Sequence, residues 1–324
     1  MPEDSGPGNW RIIGCSVEGA SHKRTGKPSQ DRIKFSCPAD SVSPLILAIA
    51  DGHGGKSYFR SDRGAQFAVD TALEVAGELA DFSWDRIKDT DIIDLVCRDI
   101  VQKWRNRVNA DIEAHPFTEE EEDAFTRKKE PASRRPGNLQ DDRGMSYGST
   151  LILAIIHDSY ILYLQLGDGN ILIVPAEGGV DTPFAQDDRL FGNETTSLCL
   201  PESWSDFRFR LIPLDAANPA PALILLSTDG YANSFSRESE FEKVGMDLLD
   251  IICEHPESIG KGLDSIEENL PGWLNIASER GSGDDTTVGI ICNPGRIQVY
   301  KTEQYDADNR KKNTVIQPAD GGML

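Results

Sequence analysis

Several features that would place a protein in a specialised class are missing from this sequence. No apolar stretch approaches the roughly 18 residues that a membrane-spanning helix needs, and the N-terminus has neither the basic start nor the apolar segment of a signal peptide. The six cysteines include no C-x-x-C pair, which argues against a zinc site or a disulfide framework. We therefore expect a cytoplasmic chain without a membrane anchor.

Positive charge is also scarce. The chain carries 33 Lys and Arg against 54 Asp and Glu, a formal net charge of -21. Such a surface repels a phosphate backbone or an anionic bilayer, so nucleic acid and membranes are poor candidates as partners. With 324 residues, 38% hydrophobic and 27% charged, the composition is nevertheless that of a globular protein with a substantial core.

Apolar runs predict nine or ten strands. The clearest, at 45–50, is continuously apolar and ends abruptly at Asp51, as expected of a buried strand that delivers its end to a loop. The sequence Gly167-Asp168-Gly169 lies between two further runs and predicts a hairpin turn. The other strands are predicted at 10–17, 32–37, 150–156, 160–166, 170–174, 207–212, 223–226, 287–292 and 296–300.

Four predicted helices separate these strands into groups. Apolar residues recur every three to four positions around 67–76 and 92–104, and two more helices are predicted at 238–253 and 258–276. Strands in runs and helices in pairs, without regular βαβ alternation, are typical of an α+β protein. The simplest arrangement is a central antiparallel β-sandwich flanked by helix pairs, in four layers (αββα).

Residues 115–145 interrupt this pattern as a charged insertion. They hold an acidic run at 119–123, basic clusters, Pro131 and Pro136, and almost no apolar side chains. Such a segment cannot bury enough apolar surface to offset the entropy of ordering it. We therefore expect a surface loop, either solvated or used for docking, that can be shortened without loss of folding. It would interrupt a domain spanning 10–301, which a polar tail at 302–324 follows.

Three aspartates beside glycine or small hydroxyl residues follow or precede strongly apolar strands. They are Asp51 in A-D-G-H-G-G, Asp229 in S-T-D-G and Asp284 in G-S-G-D-D-T-T. A single Asp-Gly pair is usually a turn, but carboxylates at three strand ends offer the oxygen ligands that Mg²⁺ and Mn²⁺ prefer. The sequence therefore predicts a site for divalent cations.

The order of the short motifs resembles a known family. The strings D-G-H-G-G, G-S-T, L-G-D-G, L-S-T-D-G and G-D-D-T-T resemble those of the type-2C, PPM-type metal-dependent protein phosphatases, over about residues 12 to 292. The stretch S-H-K-R-T-G-K-P-S-Q-D resembles the first motif of bacterial members, with Gln30 where many eukaryotic members have a carboxylate. The resemblance implies a β-sandwich flanked by helix pairs and hydrolysis of phosphoserine and phosphothreonine on proteins.

The resemblance also implies metal ligands. Asp51 would bridge two ions, Mn²⁺ or Mg²⁺, and the carbonyl of Gly52 would complete the coordination of one of them. Asp229 and Asp284 would bind the other ion, and Asp31 would hold metal-bound water.

Two further aspartates stand at positions where the sequence departs from the usual family pattern. Asp168 matches a position that can form a third, weaker metal site, although G-D-G stands here in place of the usual G-D-S. Asp285 falls where many members have Asn, so we interpret it as a helper of the ligand Asp284.

Hydrolysis also requires a proton donor and a group that captures phosphate. The Ser or Thr alkoxide is a poor leaving group and needs a proton; His53 is the candidate donor, the alternatives being a turn histidine or a direct ligand. The position of the family's phosphate-binding arginine is Gly26 here, so Arg24 or Lys27 is the candidate for that role. His22, in the same loop, is interpreted as structural.

Two other functions fit part of the sequence. A catalytically inactive phosphatase fold that binds phosphoproteins would be expected to lack a metal aspartate, whereas Asp51, Asp229 and Asp284 are all present. A hydrolase of small phosphomonoesters would keep the whole site and would differ only in its substrate preference. No kinase or sensor is fused to the chain, so we expect a phosphorylated protein substrate and an opposing Ser/Thr kinase in trans.

Overall fold

The computed structural model describes residues 10–38, 44–127, 143–185, 187, 195–255 and 258–315. The strands in these ranges are β1 (Arg11–Val17), β2 (Asp31–Ser36), β3 (Leu45–Asp51), β4 (Leu151–His157), β5 (Tyr160–Leu166), β6 (Asn170–Val174), β7 (Arg208–Pro213), β8 (Leu223–Ser227) and β9 (Thr286–Cys292). The helices are α1 (Ala20–Thr25), α2 (Ser61–Gly77), α3 (Trp84–Ile87), α4 (Thr90–Ala114), α5 (Glu119–Arg127), α6 (Asp229–Ala232), α7 (Glu238–Cys253), α8 (Ile259–Arg280) and α9 (Pro294–Val315).

The strands form two antiparallel sheets. One has four strands in the order β1-β9-β8-β6, and the other has five in the order β2-β3-β4-β5-β7. Every pair of neighbouring strands is antiparallel. Within the described ranges, no helix combines the length and apolarity needed to cross a membrane.

Strand β3 shows why the apolar runs are continuous. Leu47 and Ile49 point into the core between the two sheets, whereas Ala48 and Ala50 belong to the core that the five-stranded sheet shares with α2 and α4. A strand covered on both faces has no position that favours a polar side chain. A third core joins the four-stranded sheet to α7, α8 and α9. The predicted α+β fold, an αββα sandwich, is therefore confirmed.

Gly167-Asp168-Gly169 does not form the predicted hairpin turn. Strand β5 pairs with β4 on one side and β7 on the other, which leaves it no free edge. Strand β6 pairs with β8 in the opposite sheet. The three residues therefore carry the chain from one sheet to the other, and Gly167, with φ at 104°, adopts a backbone conformation that favours glycine.

The strand predicted at 296–300 is wrong, because these residues belong to α9. Pro294 begins the helix, a position that suits its fixed φ and missing N–H. Ile297 and Tyr300 are buried three residues apart, the spacing of one helical face. The first part of the predicted tail at 302–324 is also helical, since α9 continues to Val315; residues 316–324 lie outside the described ranges.

The insertion is not wholly a loop. Residues Glu119–Arg127 form α5, and Glu121 accepts hydrogen bonds from Nε and Nη2 of Arg60, both at 2.8 Å. Arg60 is only 7% exposed and also donates to the hydroxyl of Tyr147 at 2.8 Å. The ring of Phe117 lies 4.6 Å from the Arg60 guanidinium carbon. An ion pair with a buried arginine anchors α5 in spite of its low apolar content. The expectation that the insertion can be shortened without loss of folding stays a prediction. Residues 128–142 lie outside the described ranges.

Candidate active site

The proposed ligands converge because their strands end on the same side of the sandwich. Asp31 opens β2 and Asp51 closes β3, and the antiparallel register places these two residues opposite each other. Asp229 follows β8, and Asp284 precedes β9, the neighbour of β8. Asp168 lies on the crossing between the sheets.

With the exception of Asp31, these residues border a cleft of about 870 Å³. Seven of the residues proposed from the sequence line it: Asp51, Gly52, His53, Asp168, Asp229, Asp284 and Asp285. The positions are up to 233 residues apart in the sequence, from Asp51 to Asp284. The fold thus assembles one site from motifs that are dispersed along the chain.

Asp31 lies behind the cleft and is not among its lining residues. It is 3% exposed, and its Oδ2 accepts hydrogen bonds from Oγ1 of Thr228 at 2.8 Å and of Thr287 at 2.7 Å. Burial and repulsion by Asp285 and Asp229 outweigh these bonds and raise the pKa of Asp31 to about 7. Thr287 lies in β9 of the other sheet and Thr228 directly follows β8, so Asp31 joins the two halves of the sandwich beneath the site.

The glycines of two Asp-Gly pairs are required by close packing of the backbone. A Cβ on Gly52 would lie 2.6 Å from the carbonyl oxygen of Ser61. A Cβ on Gly230 would lie 2.1 Å from the carbonyl oxygen of Asp285. Neither distance is compatible with a side chain. These pairs therefore bring the ligand-bearing segments close to neighbouring chain segments.

The electrostatics of the cleft favour binding of cations. Burial raises the pKa of Asp51 well above its usual range, and repulsion by Asp31 and Asp229 adds to that effect. Burial and repulsion by Asp229 likewise raise the pKa of Asp168 to about 6 and raise that of Asp284. Several carboxylates held this close need counter-charge to be ionised together. Their all-carboxylate chemistry fits divalent cations such as Mg²⁺ and Mn²⁺.

Asp285 has a clear part in positioning the site. It is 3% exposed, and its two oxygens accept backbone hydrogen bonds from Gly19 and Gln30, both at 2.6 Å. The side chain of Gln30 donates in turn to the carbonyl oxygen of His53 at 3.1 Å and to Oγ of Ser61. Asp285 thus fastens the first motif to the last one.

His53 lies in the wall of the cleft. Its backbone N–H donates to the carbonyl oxygen of Gly148 at 3.0 Å, and its ring meets that of Tyr58 edge-on with centroids 5.0 Å apart. Burial lowers the pKa of His53 to about 4. The position suits a proton donor, whereas burial alone opposes the protonated form.

The residues predicted to bind phosphate do not belong to the wall of the cleft. Arg24 and Lys27 are exposed, and neither lines the cleft. Among the described lining residues there is no Lys or Arg, and the nitrogen bases are His22 and His53. The sequence alone suggests a structural role for His22, and its position in the cleft becomes visible only in the folded structure.

The chain is similar to a known protein family and to several solved structures. A family model described as protein phosphatase 2C matches residues 18–275, and no curated protein matches the sequence. A bacterial serine phosphatase has a TM-score of 0.53 at 11% identity, with 87% of this chain and 97% of that chain covered. The serine/threonine phosphatase Stp1 from Staphylococcus aureus has a TM-score of 0.53 at 12% identity, with coverage of 87% and 94%.

An animal protein is also similar in structure. A Caenorhabditis elegans sex-determining protein has a TM-score of 0.53 at 16% identity, covering 90% of this chain and 67% of that chain. At such low identities these structures share the sandwich architecture with this chain.

Proposed function

Since the chain belongs to the protein phosphatase 2C family, we propose that it hydrolyses phosphoserine and phosphothreonine on proteins with water activated by divalent cations. The observation that carries the proposal is the convergence of Asp51, Asp229 and Asp284 in one cleft. A catalytically inactive member of the fold would not need these carboxylates to lie close together in one cleft. Assays of a phosphothreonine peptide with and without Mn²⁺ test the proposal.

The ligands in this proposal are those that the motifs suggest. Asp51 and the carbonyl of Gly52 would hold one ion, with Asp51 shared by a second ion that Asp229 and Asp284 also hold. Asp168 would contribute with Asp229 to a third ion, consistent with the repulsion between their carboxylates. Bound Mn²⁺ or Mg²⁺ supplies charge that neutralises the phosphoryl oxygens and acidifies a water.

Asp31 and His53 would act without being primary ligands. Asp31, buried and opposite Asp51 in the register of β2 and β3, would orient metal-bound water from the base of the site. His53 would protonate the alkoxide that leaves. A phosphate dianion in the cleft favours the charged imidazole and so opposes the effect of burial on its pKa.

The proton-donor role predicts a difference between substrates. His53→Ala is expected to leave Mn²⁺ binding unchanged and to lower kcat on a phosphoserine peptide by roughly 10²–10⁴-fold, the usual contribution of a general acid. On p-nitrophenyl phosphate, whose leaving group needs little protonation, the loss is expected to be much smaller. Steady-state kinetics on both substrates measure this difference, and equal losses would remove His53 from the role.

The proposal also extends to partners and location. Substrates would be proteins phosphorylated by a Ser/Thr kinase that is a separate chain. All six cysteines are free thiols, as is usual for proteins of a reducing compartment, and this supports a cytoplasmic location. A preference for small phosphomonoesters over phosphopeptides would instead favour the alternative of a small-molecule phosphatase.

A further inference from the structure

His22 occupies an unexpected place in the cleft. It lies on α1, is 9% exposed, and lines the cleft together with Asp284 and Asp285. Its Nδ1 is 3.0 Å from Oδ2 of Asp285, and its Nε2 is 3.8 Å from Oδ1 of Asp284. One nitrogen thus faces a carboxylate fixed by the backbone, and the other faces a proposed metal ligand.

A purely structural role leaves this ring unexplained. Although Nδ1 is close to Asp285, it is buried without a well-directed hydrogen bond. A buried polar atom without a hydrogen bond destabilises the folded protein, so an apolar side chain would serve packing better. The backbone around the ring is held firmly, since the N–H of Ser21 donates to the carbonyl oxygen of Gly283 at 2.8 Å. The N–H of Ala20 also donates to Oγ of Ser278 at 2.9 Å.

We infer that His22 is a metal ligand, binding through Nε2 the same cation as Asp284, with Asp285 facing its Nδ1. This inference rests on the proposed metal-dependent function. Two atoms that each bind a cation at about 2.1 Å lie within about 4.2 Å of each other, and the separation of 3.8 Å between Nε2 and Oδ1 meets that limit. A carboxylate against the second ring nitrogen is the usual support of a metal-binding histidine.

A nitrogen ligand changes which ions the site prefers. Mg²⁺ takes oxygen ligands almost exclusively, whereas imidazole is a good ligand for transition-metal ions. The ion held by Asp284 would therefore be bound by a mixed nitrogen and oxygen set, and Mn²⁺ would be preferred there over Mg²⁺. His22→Ala is expected to weaken Mn²⁺ binding by about 10-fold or more and to weaken Mg²⁺ binding less.

Pulsed electron paramagnetic resonance on the full chain loaded with Mn²⁺ tests the inference without an activity assay. Coupling between Mn²⁺ and a directly bound ¹⁴N is expected in the wild-type protein. It should disappear in His22→Ala and in His22→Asp, which offers oxygen in place of nitrogen. It should persist in His53→Ala, the matched control for the other histidine of the cleft. Circular dichroism checks that each variant is folded.

The outcomes separate this inference from the function on which it rests. Wild-type protein that binds Mn²⁺ without ¹⁴N coupling would overturn the role of His22 and leave the phosphatase proposal standing. Loss of the ¹⁴N coupling in His53→Ala would identify His53 as the nitrogen ligand. That result would also overturn the inference about His22, even if no His22 variant folds. A wild-type protein that neither binds Mn²⁺ nor hydrolyses a phosphopeptide would contradict the proposed function as well.

Discussion

Replacement of Asp229 by asparagine is expected to abolish Mn²⁺-dependent hydrolysis of a phosphothreonine peptide. Asp229 is central to the acidic cluster, since its charge raises the pKa of Asp51, Asp168 and Asp284. An amide of the same shape keeps the packing and removes that charge. Because charge stabilisation by a metal ion is worth several kcal/mol, kcat/KM should fall by about 10³-fold or more, with a parallel loss of Mn²⁺ binding.

The matched control is Asp158→Asn. Asp158 is exposed in the turn between β4 and β5, and β4 begins beside the cleft and ends at this turn. The same chemical change there should leave Mn²⁺ affinity and turnover unaltered. Isothermal titration with Mn²⁺ and steady-state kinetics measure both quantities, and near wild-type values for Asp229→Asn would rule out its role as a ligand.

Replacement of Glu121 by glutamine is expected to destabilise the whole domain. The carboxylate accepts two hydrogen bonds from Arg60, whose side chain is 8% exposed. Without the charge of Glu121, the nearest carboxylate to the guanidinium is that of Asp111, with Oδ2 3.9 Å from Nη1, and breaking a well-buried ion pair typically costs about 3–5 kcal/mol. The 22% exposure of the Glu121 side chain puts the expected loss at about 2–3 kcal/mol. Urea denaturation measures it as a change in the free energy of unfolding.

The neighbouring Glu122 provides the control for this second prediction. It pairs with Arg143 at 2.5 Å, but both side chains are well exposed, at 41% and 37%. Glu122→Gln should therefore change the free energy of unfolding by less than about 1 kcal/mol. If the two substitutions have equally small effects, α5 is not anchored by Arg60 and the insertion is as dispensable as its composition suggests.

The sequence predicts the layers of this fold well because they depend on local patterns. Strands such as β3 and β8 are short apolar runs that end in polar motifs, and α7 follows the periodicity of its apolar residues with the expected bounds. The predictions are wrong where contacts between residues that are distant in the sequence determine the structure. R-I-Q-V in α9 alternates like a strand over four residues, yet burial of Ile297 and Tyr300 on one face favours a helix.

The crossing at Gly167-Asp168-Gly169 and the anchored insertion have the same physical origin. A short glycine-rich link between two strands is compatible with a hairpin or with a change of sheet, and the choice depends on whether β5 has a free edge. The position of α5 in the fold likewise depends on contacts with distant residues, among them the guanidinium of Arg60, which lies 61 positions from Glu121 in the chain. Neither contact leaves a trace in local composition.

The candidate site likewise contains some residues that the sequence predicts and others that only the structure reveals. Asp51, Asp229 and Asp284 could be found from the sequence because each lies beside glycine or hydroxyl residues next to an apolar strand, whereas Asp31 and Asp168 were indicated only by the family resemblance. The hydroxyl groups that hold Asp31 were present in the same strings, in S-T-D-G and D-D-T-T, but their partner could not be inferred. The place of His22 depends on how α1 packs beside Asp285, which no spacing reveals.

Metal-dependent release of phosphate from a phosphothreonine peptide is the most direct test of the central claim, a phosphatase whose activity depends on divalent cations in the aspartate cleft. The full chain is treated with excess EDTA, assayed, and assayed again after Mn²⁺ or Mg²⁺ has been restored above the chelator concentration. We expect no turnover in EDTA and recovery with either ion, to a greater extent with Mn²⁺. Full turnover in the presence of excess chelator would contradict the claim.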